Sequence, residues 1–337
     1  MTRILSEGFE MQDLVGYSTS TGSINTTTKR SGGASIALDD GEYFHYVVSD
    51  LTEVYVRFAI YWAGNGTTRA FYLICRHGTT ELTRLYINLL SGNLVAVQVG
   101  STTQDTGVIP ISTGAWYVIE FRVKIDDATG VLDTKVDGVS DATFSGDTKP
   151  GADAHIDNLL FYNGSGGGLG ENMVIYLDDI GINNTAGGVD DSWLGDGRII
   201  VIKPNGDTAT LQLTPSAVVD HNTLVDDIPA DGDTTYVEGS TVDERDIYDL
   251  AACGLTDVII TRIWTEARAK DTASSGKTIA LITKASGGAE VSGGDIALAG
   301  TYTTKVLGAE ELENPVDTNP WEVADIDALQ GGPKTRS

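Results

Sequence analysis

Cysteine is almost missing from this chain of 337 residues, which has only Cys75 and Cys253. A disulfide framework is therefore excluded, and hydrophobic packing has to hold the fold together. Both cysteines lie in apolar sequence typical of strands, so we predict two buried thiols, with a single disulfide or a nucleophile as the alternatives. Histidine is also rare, and its four positions form neither an H-x-x-x-H nor a C-x-x-C unit, which argues against a zinc site: His45, His77, His155 and His221.

Positive charge is scarce, since 22 lysines and arginines stand against 48 aspartates and glutamates and leave a net charge of −26. Binding to DNA, RNA or an anionic membrane needs cations opposite phosphates, so we expect no nucleic-acid partner. No stretch approaches the roughly 18 consecutive apolar residues of a membrane span, so we expect no membrane insertion. The first ten residues, MTRILSEGFE, lack the apolar core of a secretory signal, which predicts synthesis in the cytoplasm.

Long segments with a helical period of apolar residues are scarce as well, whereas glycine accounts for 40 residues and hydrophobic residues for 41%. This composition predicts a folded, all-β protein that is rich in turns and long enough for two domains. Four stretches rich in β-branched and aromatic residues are predicted strands: 53–62, 69–78, 83–90 and 94–100. Ser91, Gly92 and Asn93 have the chemistry of a hairpin loop, so the last two strands should pair.

A second hairpin is predicted from an outgoing strand at 116–125 and a return strand at 131–138, with a turn between them. Alternate residues of the outgoing strand are apolar, and the residues between them are mostly polar or charged. We therefore expect one buried face and one mostly wet face, as on a sheet of a sandwich. The apolar set is Tyr117, Ile119, Phe121, Val123 and Ile125.

A change in the amino-acid sequence after residue 186 predicts a domain boundary. We predict a first domain at 1–186, a linker rich in glycine and aspartate at 187–197, and a second domain at 198–337. The sequence of the second domain alternates segments typical of strands and of turns, which predicts a smaller β-sandwich.

Three local features are predicted within the second domain. A turn is expected at 204–207 and a strand with one buried face at 258–270. A short C-terminal helix is expected near 320–330, because Asn319 can cap its start and Gly331 can take the left-handed position at its end.

From about residue 5 to 185 the chain resembles the concanavalin A-like and laminin-G-like jelly rolls. The resemblance rests on the hairpin text EFRVKID..TG....VDG, followed by a closing strand that contains YLDDIGI. It implies that the first domain is a jelly-roll sandwich. Such jelly rolls serve as lectins, as glycosidases and as plain structural modules, so the resemblance leaves the activity open.

Two kinds of binding site are candidates in the first domain. Asp178 and Asp179 are the candidate metal ligands, with calcium as the ion, although consecutive strand residues face opposite ways unless a bulge intervenes. The alternative is that both are solvated acids of a strongly acidic chain. Aromatic and amide side chains of the types that lectins use are the candidate carbohydrate ligands: Trp62, Asn65, Tyr162 and Asn163.

No catalytic residue is predicted. Glycoside hydrolysis needs two carboxyl groups facing each other, and the best strand offers only Glu120. We therefore expect a non-enzymatic protein with no cofactor, calcium being the one ion considered.

Residues 173–332 also resemble virion structural proteins of tailed bacteriophages. This resemblance rests on the linker sequence, the stretch DGDTTYVE and a terminal segment with Trp321. The resemblance implies a virion component made in the bacterial host, either a capsid decoration or head-fibre protein or a tail accessory protein. Its implied partners are other virion proteins, further copies of itself as a homo-oligomer, and host glycans. Trp264, Trp321 and Leu329 are the candidate anchors, with ordinary core packing as the alternative. A carbohydrate-binding module is the second hypothesis and a glycoside hydrolase the third.

Overall fold

The computed structural model describes residues 3–17, 19–63, 71–88, 92–152, 155–164, 173–186, 189–302 and 304–337. The chain divides into two compact units, Met1–Ile200 and Val201–Ser337. Nearly all regular structure in the described ranges is β, which confirms the predicted fold class. The helices found there are one short α-helix, α1 (Val323–Asp327), and one 3-10 turn at His221–Leu224. Neither approaches the length and apolar character that a helix needs to cross a membrane.

The first unit is built from fifteen strands in its described part. In chain order they are β1 (Arg3–Glu7), β2 (Thr19–Ser20), β3 (Ser23–Asn25), β4 (Ser35–Leu38), β5 (Tyr43–Leu51), β6 (Glu53–Ala63), β7 (Phe71–His77), β8 (Thr80–Asn88), β9 (Leu94–Val99), β10 (Thr102–Pro110), β11 (Tyr117–Lys124), β12 (Gly130–Val136), β13 (Val139–Gly146), β14 (Ile156–Asn163) and β15 (Val174–Asn184).

These strands form two antiparallel sheets. The eight-stranded sheet has the order β13-β12-β11-β6-β15-β4-β3, with β1 paired to β15, and the seven-stranded sheet has the order β10-β9-β8-β7-β14-β5-β2. One hydrophobic core takes alternate side chains from both sheets, so the sheets face each other as a jelly-roll sandwich. The alternation of each strand therefore also defines an outer face, turned away from this core.

Both predicted hairpins are present. β8 pairs antiparallel with β9, and β11 pairs antiparallel with β12. The turn after β11 is held by Asp126, whose Oδ1 accepts hydrogen bonds from the backbone N–H groups of Ala128 (2.9 Å) and Thr129 (2.7 Å). Hydrogen bonds between residues so close along the chain explain why this hairpin could be predicted from the sequence.

The outer face of β11 differs from the prediction in part, because Val118 and Glu120 are buried whereas Arg122 and Lys124 are half-buried. Glu120 on this face is only 1% exposed, and its Oε1 accepts a hydrogen bond from Gly195 N–H at 2.8 Å. Trp193 packs beside it, with its ring 5.4 Å from that of Tyr55 and with Lys135 Nζ 4.2 Å from its centroid. The described part of the predicted linker, residues 189–197, therefore packs along the eight-stranded sheet of the first unit.

The second unit is a smaller β domain. Its strands are β16 (Pro204–Leu211), β17 (Thr214–Pro215), β18 (Val237–Glu238), β19 (Asp246–Leu250), β20 (Glu266–Ala269), β21 (Thr278–Lys284), β22 (Val291–Ser292), β23 (Ile296–Ala297), β24 (Thr304–Leu307) and β25 (Gln330–Thr335). A six-stranded sheet has the order β16-β19-β25-β21-β22, with β23 paired to β21, and β17-β18 and β20-β24 form two short ladders.

Two local predictions for the second unit were wrong. The expected turn at 204–207 is the start of β16, which pairs with β19. Only Glu266–Ala269 of the expected strand at 258–270 is a strand, and Ile259, assigned to an alternating strand, is 89% exposed. Neither sequence segment contains a local signal that distinguishes a strand from a turn or loop. Whether such a segment forms a strand depends on the strand that is available to pair with it.

The C-terminal segment also differs from the prediction. The capping box lies three residues later than expected, with Glu322 as N-cap and Asp325 as its partner, so α1 has five residues. Gly331 does not cap it. Instead Gly331 belongs to β25, an interior strand of the six-stranded sheet paired with β19 and β21.

The predicted anchors of the second unit lie mainly in its own core. Trp321 (3% exposed) and Leu329 (4% exposed) pack with Ala285 and Ile326, and Trp321 Nε1 donates a hydrogen bond to the Glu311 carbonyl at 3.3 Å. This favours the alternative of core packing for both residues. Trp264 is half-buried.

The two cysteines are free thiols. Cys75 is fully buried, as predicted, and burial raises the pKa of its thiol to about 12. Cys253 is half-buried instead of buried.

Candidate functional site

Four tyrosines form a row across four neighbouring strands of the seven-stranded sheet. The ladder places Tyr43 opposite Tyr162, Tyr162 opposite Tyr72, and Tyr72 opposite Tyr86. Directly opposed residues of antiparallel strands project from the same face of a sheet, so the four rings stand side by side. We call Tyr43, Tyr162, Tyr72 and Tyr86 the tyrosine row.

The tyrosine row lies on the outer face of the sheet. The chain neighbours Phe44, Phe161, Leu73 and Leu85 all belong to the core, and strand alternation turns the tyrosines the other way. Tyr72 stacks on Tyr162, with ring centroids 5.9 Å apart and an angle of 25° between the planes. Its distance to the ring of Tyr86 is 6.2 Å. Tyr43, Tyr72 and Tyr162 are half-buried, so part of each side chain is open to solvent, whereas Tyr86 is 1% exposed and closed to a ligand.

Polar side chains stand next to the tyrosine row on the same face. The adjoining line of cross-strand partners runs through His45, Leu160, Ile74, Arg84 and Gln98. The Arg84 guanidinium lies 5.5 Å from the Tyr72 ring centroid, in cation–π range.

Hydrogen bonds hold these polar groups in position. Arg84 Nε donates to Gln98 Oε1, and Gln98 Nε2 donates to the Ser101 carbonyl at 2.7 Å. The hydroxyls of Tyr86 and Thr103 share a hydrogen bond of 2.9 Å. Their side chains are thus ordered before any ligand arrives, which lowers the entropy that binding has to overcome.

A further polar pair and an ion pair complete the face. Asn158 Nδ2 and His45 Nδ1 lie 2.6 Å apart, within hydrogen-bond distance. Arg84 Nε is 3.1 Å from Glu81 Oε1. Burial raises the pKa of Glu81, while Arg84 and Arg76 oppose that rise. The outer face therefore combines flat, half-open aromatic rings with oriented donors and acceptors, the composition of a site for a ligand that is apolar on its faces and polar at its edges.

The structure separates the predicted carbohydrate ligands. Tyr162 is part of the tyrosine row. Trp62 is 2% exposed and belongs to the hydrophobic core, so its ring packs inside the sandwich. Asn163 is 1% exposed, and its Nδ2 donates to the carbonyls of Leu38 and Met173, both at 2.8 Å. Both placements correct the prediction, and Asn65 lies outside the described residues.

The candidate metal ligands Asp178 and Asp179 sit at a β-bulge. Asp178 pairs with Ala59, but the next paired residue of β15 is Gly181, opposite Arg57, so one extra residue is accommodated. Asp179 adopts the left-handed region, with φ 52°. Both side chains are fully buried, so neither is the solvated surface acid of the alternative hypothesis.

Every carboxylate oxygen of this pair already accepts hydrogen bonds from the protein. Asp178 Oδ2 accepts from the backbone N–H groups of Arg30 (2.8 Å) and Ser31 (3.2 Å), and its Oδ1 accepts from Asp179 N–H (2.7 Å). Asp179 Oδ1 accepts from Ser31 Oγ (2.6 Å) and Ile199 N–H (2.7 Å), and its Oδ2 accepts from Arg30 Nη1 (2.8 Å). This donor set does not fit calcium, which needs six to eight oxygens. The pair instead joins residues 30–31 and Ile199 to β15.

The buried carboxyls near this bulge affect one another. Burial and the neighbouring Asp179 raise the pKa of Asp178, while the N–H groups of Arg30 and Ser31 act in the opposite direction. Glu10 is 7% exposed, and burial raises its pKa to about 8, with Asp178 and Asp179 adding to the rise. Repulsion between buried negative charges is relieved when one of them keeps its proton.

Sequence reasoning missed most of the outer face. Tyr43, Tyr72, Tyr86, Arg84 and Gln98 occur on four separate strands, and no spacing along the chain groups them. Alternation within its strand could have assigned Tyr72 to an outer face, because both of its chain neighbours, Phe71 and Leu73, are apolar. Only the strand order and register bring the residues of the outer face together.

No family model and no curated protein matches the chain. Among solved structures, alginate lyase Aly36B is similar with 15% identity and a TM-score of 0.41, over 53% of this chain and 96% of that one. The Caenorhabditis elegans galectin LEC-6 has 14% identity and a TM-score of 0.29, over 42% of this chain and 89% of that one. The carbohydrate recognition domain of Emp46p in its metal-free form has 7% identity and a TM-score of 0.36, over 54% and 95% respectively. Similarities at this level carry no conclusion about the ligand or reaction of this chain.

Proposed function

We propose that the first unit binds carbohydrate on the outer face of its seven-stranded sheet. The observation that carries the proposal is the stacked pair Tyr72 and Tyr162, half open to solvent, with the Arg84 guanidinium over Tyr72. Sugar rings present C–H faces and hydroxyl edges. An aromatic ring packs against a C–H face of the sugar, while ordered amides, hydroxyls and guanidinium groups form hydrogen bonds with its hydroxyl edge.

The extent of the tyrosine row indicates a chain of sugars as the ligand. Three neighbouring strands carry the rings that are partly open to solvent, those of Tyr43, Tyr162 and Tyr72, and two inter-strand spacings amount to about 10 Å. A ligand that contacts all three open rings must therefore be an oligosaccharide or polysaccharide lying across the strands. His45 and Arg84 are half-buried beside these rings, whereas Tyr86 and Gln98 are each 1% exposed and only support the surface.

Glycan-array binding with alanine variants tests the proposal. We expect Tyr72→Ala and Tyr162→Ala each to weaken binding of the preferred glycan about tenfold, because each loses one stacking contact of about 1–1.5 kcal/mol. Urea unfolding of each variant should give nearly the wild-type free energy, since the rings are half open. The affinity for the best glycan is then measured by titration calorimetry.

The eight-stranded sheet provides a matched control. Tyr176 is also a half-buried outer-face tyrosine, paired with Tyr61 at 5.8 Å between ring centroids. Tyr176→Ala should leave glycan binding unchanged. Binding that is lost in Tyr176→Ala and kept in Tyr72→Ala would move the site to the other sheet, and an array without any hit would refute the proposal.

The proposed role is binding without catalysis. Glu120, the acid considered for hydrolysis, is only 1% exposed, and its Oε1 accepts a hydrogen bond from Gly195 N–H, so a sugar on the surface does not contact it. We expect purified protein to release no reducing sugar from glycans that it binds. Detectable cleavage that survives Glu120→Gln would show an enzyme with another catalytic group.

Attachment to a phage particle remains a separate prediction. Carbohydrate binding is compatible with it, because a virion component can hold host glycans. Mass spectrometry and density mapping of a purified particle would test for the protein, its copy number and its homo-oligomeric state. Absence of the protein from the particle would remove the virion role and leave the binding proposal intact.

A further inference from the structure

Metal-ligating side chains from three neighbouring strands meet at one end of the seven-stranded sheet. Asp50 is the penultimate residue of β5, His77 is the last residue of β7, and Asp157 is the second residue of β14. β14 lies between β5 and β7 and is antiparallel to both, so its beginning is next to their ends. These residues are far apart along the chain, which is why no spacing pattern in the sequence indicates the cluster.

The distances between the three groups suit one shared ion. One ligand atom from each residue, a ring nitrogen of His77 and one oxygen of each aspartate, lies within 4.8 Å of the other two. His77 Nδ1 is 3.9 Å from Asp157 Oδ2. Ligands about 2.0–2.2 Å from a common zinc ion are at most about 4.4 Å apart, so small side-chain rotations bring the three atoms onto one ion.

Backbone features direct two of the side chains. The β14 ladder with β5 shifts register, since Ile156 pairs with Leu51 whereas Asn158 pairs with Val47, and Asp50 lies within the extra stretch. Such irregularities re-aim side chains at sheet ends. Gly78 N–H lies 2.9 Å from both carboxylate oxygens of Asp157 and fixes the orientation of that group. This is the type of supporting bond that orients ligating carboxylates in metal sites.

We propose that Asp50, His77 and Asp157 bind a divalent ion of the zinc class. Calcium and magnesium prefer shells made of oxygen alone, whereas one imidazole nitrogen with two carboxylate oxygens suits zinc and similar ions. Three protein ligands leave at least one coordination position for water or for a bound molecule. The side chains of His77 and Asp157 are 37% and 30% exposed, so an ion reaches them from solvent.

The charge of the protein also favours the ion. The chain carries a net charge of −26, which attracts cations and lowers the cost of bringing a divalent ion to a site with two carboxylates. The site shares no residue with the tyrosine row. It therefore goes beyond the proposed carbohydrate binding and is tested independently of it.

Titration calorimetry of the untagged full chain with zinc chloride tests the proposal. We expect one zinc ion per chain, with affinity reduced at least about tenfold in His77→Gln and in Asp50→Asn, and weaker binding of magnesium. Both variants should unfold at the wild-type temperature without zinc, because both residues lie at the ends of strands. Zinc should raise the unfolding temperature of the wild type and not that of the variants.

Two further variants serve as controls. Asp127→Asn removes an acid that is 76% exposed and lies outside the cluster, and it should bind zinc like the wild type. Cys253→Ser removes the half-buried thiol, which is the other zinc-binding group of concern, and it should also bind normally. No saturable binding up to millimolar zinc, undiminished affinity in His77→Gln, or loss of binding in Cys253→Ser would each overturn the proposal.

Discussion

At the scale of single residues, Glu10 shows how burial changes an acid. The Glu10 side chain is enclosed beside Gly32 and Gly33, and its Oε2 accepts a hydrogen bond from Gly33 N–H at 2.6 Å. Its pKa rises from 4.5 to about 8, chiefly because burial disfavours the charged form. The folded protein therefore holds this proton over a pH range in which the unfolded chain has released it.

The sign of the resulting pH dependence follows from linkage. A group whose pKa is raised on folding contributes its stability fully below the unfolded pKa and loses it as pH rises through the folded pKa. We predict that the free energy of unfolding of the wild type falls between about pH 4.5 and about pH 8, by at most about 1.4 kcal/mol per pH unit for one proton. Glu10→Gln should flatten this decline, as measured by urea unfolding followed by tryptophan fluorescence.

A matched variant and an added ion sharpen this test. Glu238→Gln, which changes an exposed acid at the end of β18, should keep the wild-type pH dependence. An unchanged decline in Glu10→Gln would contradict the assignment. Calcium that stabilises the wild type at pH 8 and not Glu10→Gln would show that these buried carboxyls hold a cation in place of a proton, contrary to the hydrogen-bond pattern of Asp178 and Asp179.

At the scale of elements, the segment 189–197 behaves as part of the first unit. Asn183 Nδ2 donates to the Ser192 carbonyl at 2.9 Å, Gly195 bonds Glu120, and Trp193 packs between Tyr55 and Lys135. The glycines and aspartates of this segment indicated a linker. Composition shows that a segment is irregular, but it does not show which surface the segment packs against.

Trp193→Ala should release this segment. We expect a loss of about 1–2 kcal/mol in the unfolding free energy of the first unit, from the aromatic and cation–π contacts together. Limited proteolysis with mass spectrometry should then detect faster cleavage within residues 189–197 than in the wild type. Equal cleavage rates would mean that the backbone bonds hold the segment without the indole.

The C-terminal strand β25 depends on close backbone packing. A Cβ at Gly332 would lie 2.0 Å from the Asp246 carbonyl oxygen of the neighbouring β19, whereas a Cβ at Gly294 would meet nothing within 4 Å. Gly332→Ala should therefore destabilise the second unit by about 1–3 kcal/mol through overpacking. Gly294→Ala is the control and should change stability by less than about 0.5 kcal/mol. Thermal unfolding followed by circular dichroism measures both, and equal stabilities would argue against β25 in the interior of the sheet.

At the scale of the whole molecule, each unit has its own hydrophobic core. The core of the first unit takes side chains from both sheets of the sandwich, and a separate cluster in the second unit contains Trp321 and Leu329. Units with separate cores can fold independently.

A fragment ending at Ile200 should therefore fold alone and keep the carbohydrate affinity of the full chain. Calorimetry of unfolding should show one cooperative transition for this fragment, and glycan titration should give a dissociation constant within about twofold of the full-chain value, a difference of about 0.4 kcal/mol. A fragment that folds and does not bind would place part of the site in residues 201–337. An unfolded fragment would show that the two cores are not independent.

The fold class and the hairpins were predictable from the amino-acid sequence, because strand alternation and turn chemistry act over a few residues. The β11–β12 hairpin is one example, with Asp126 bonding residues two and three positions ahead. The sequence also offered Tyr162 as a candidate carbohydrate ligand, and this stays a prediction. Other features appear only in the folded chain: Trp62 and Asn163 lie inside the sandwich, Tyr43, Tyr72 and Tyr86 line up with Tyr162, and Asp50 and His77 lie close to Asp157. The physical reason is that these groupings depend on which strands are neighbours and in which register they pair, and both are settled by contacts between distant parts of the chain.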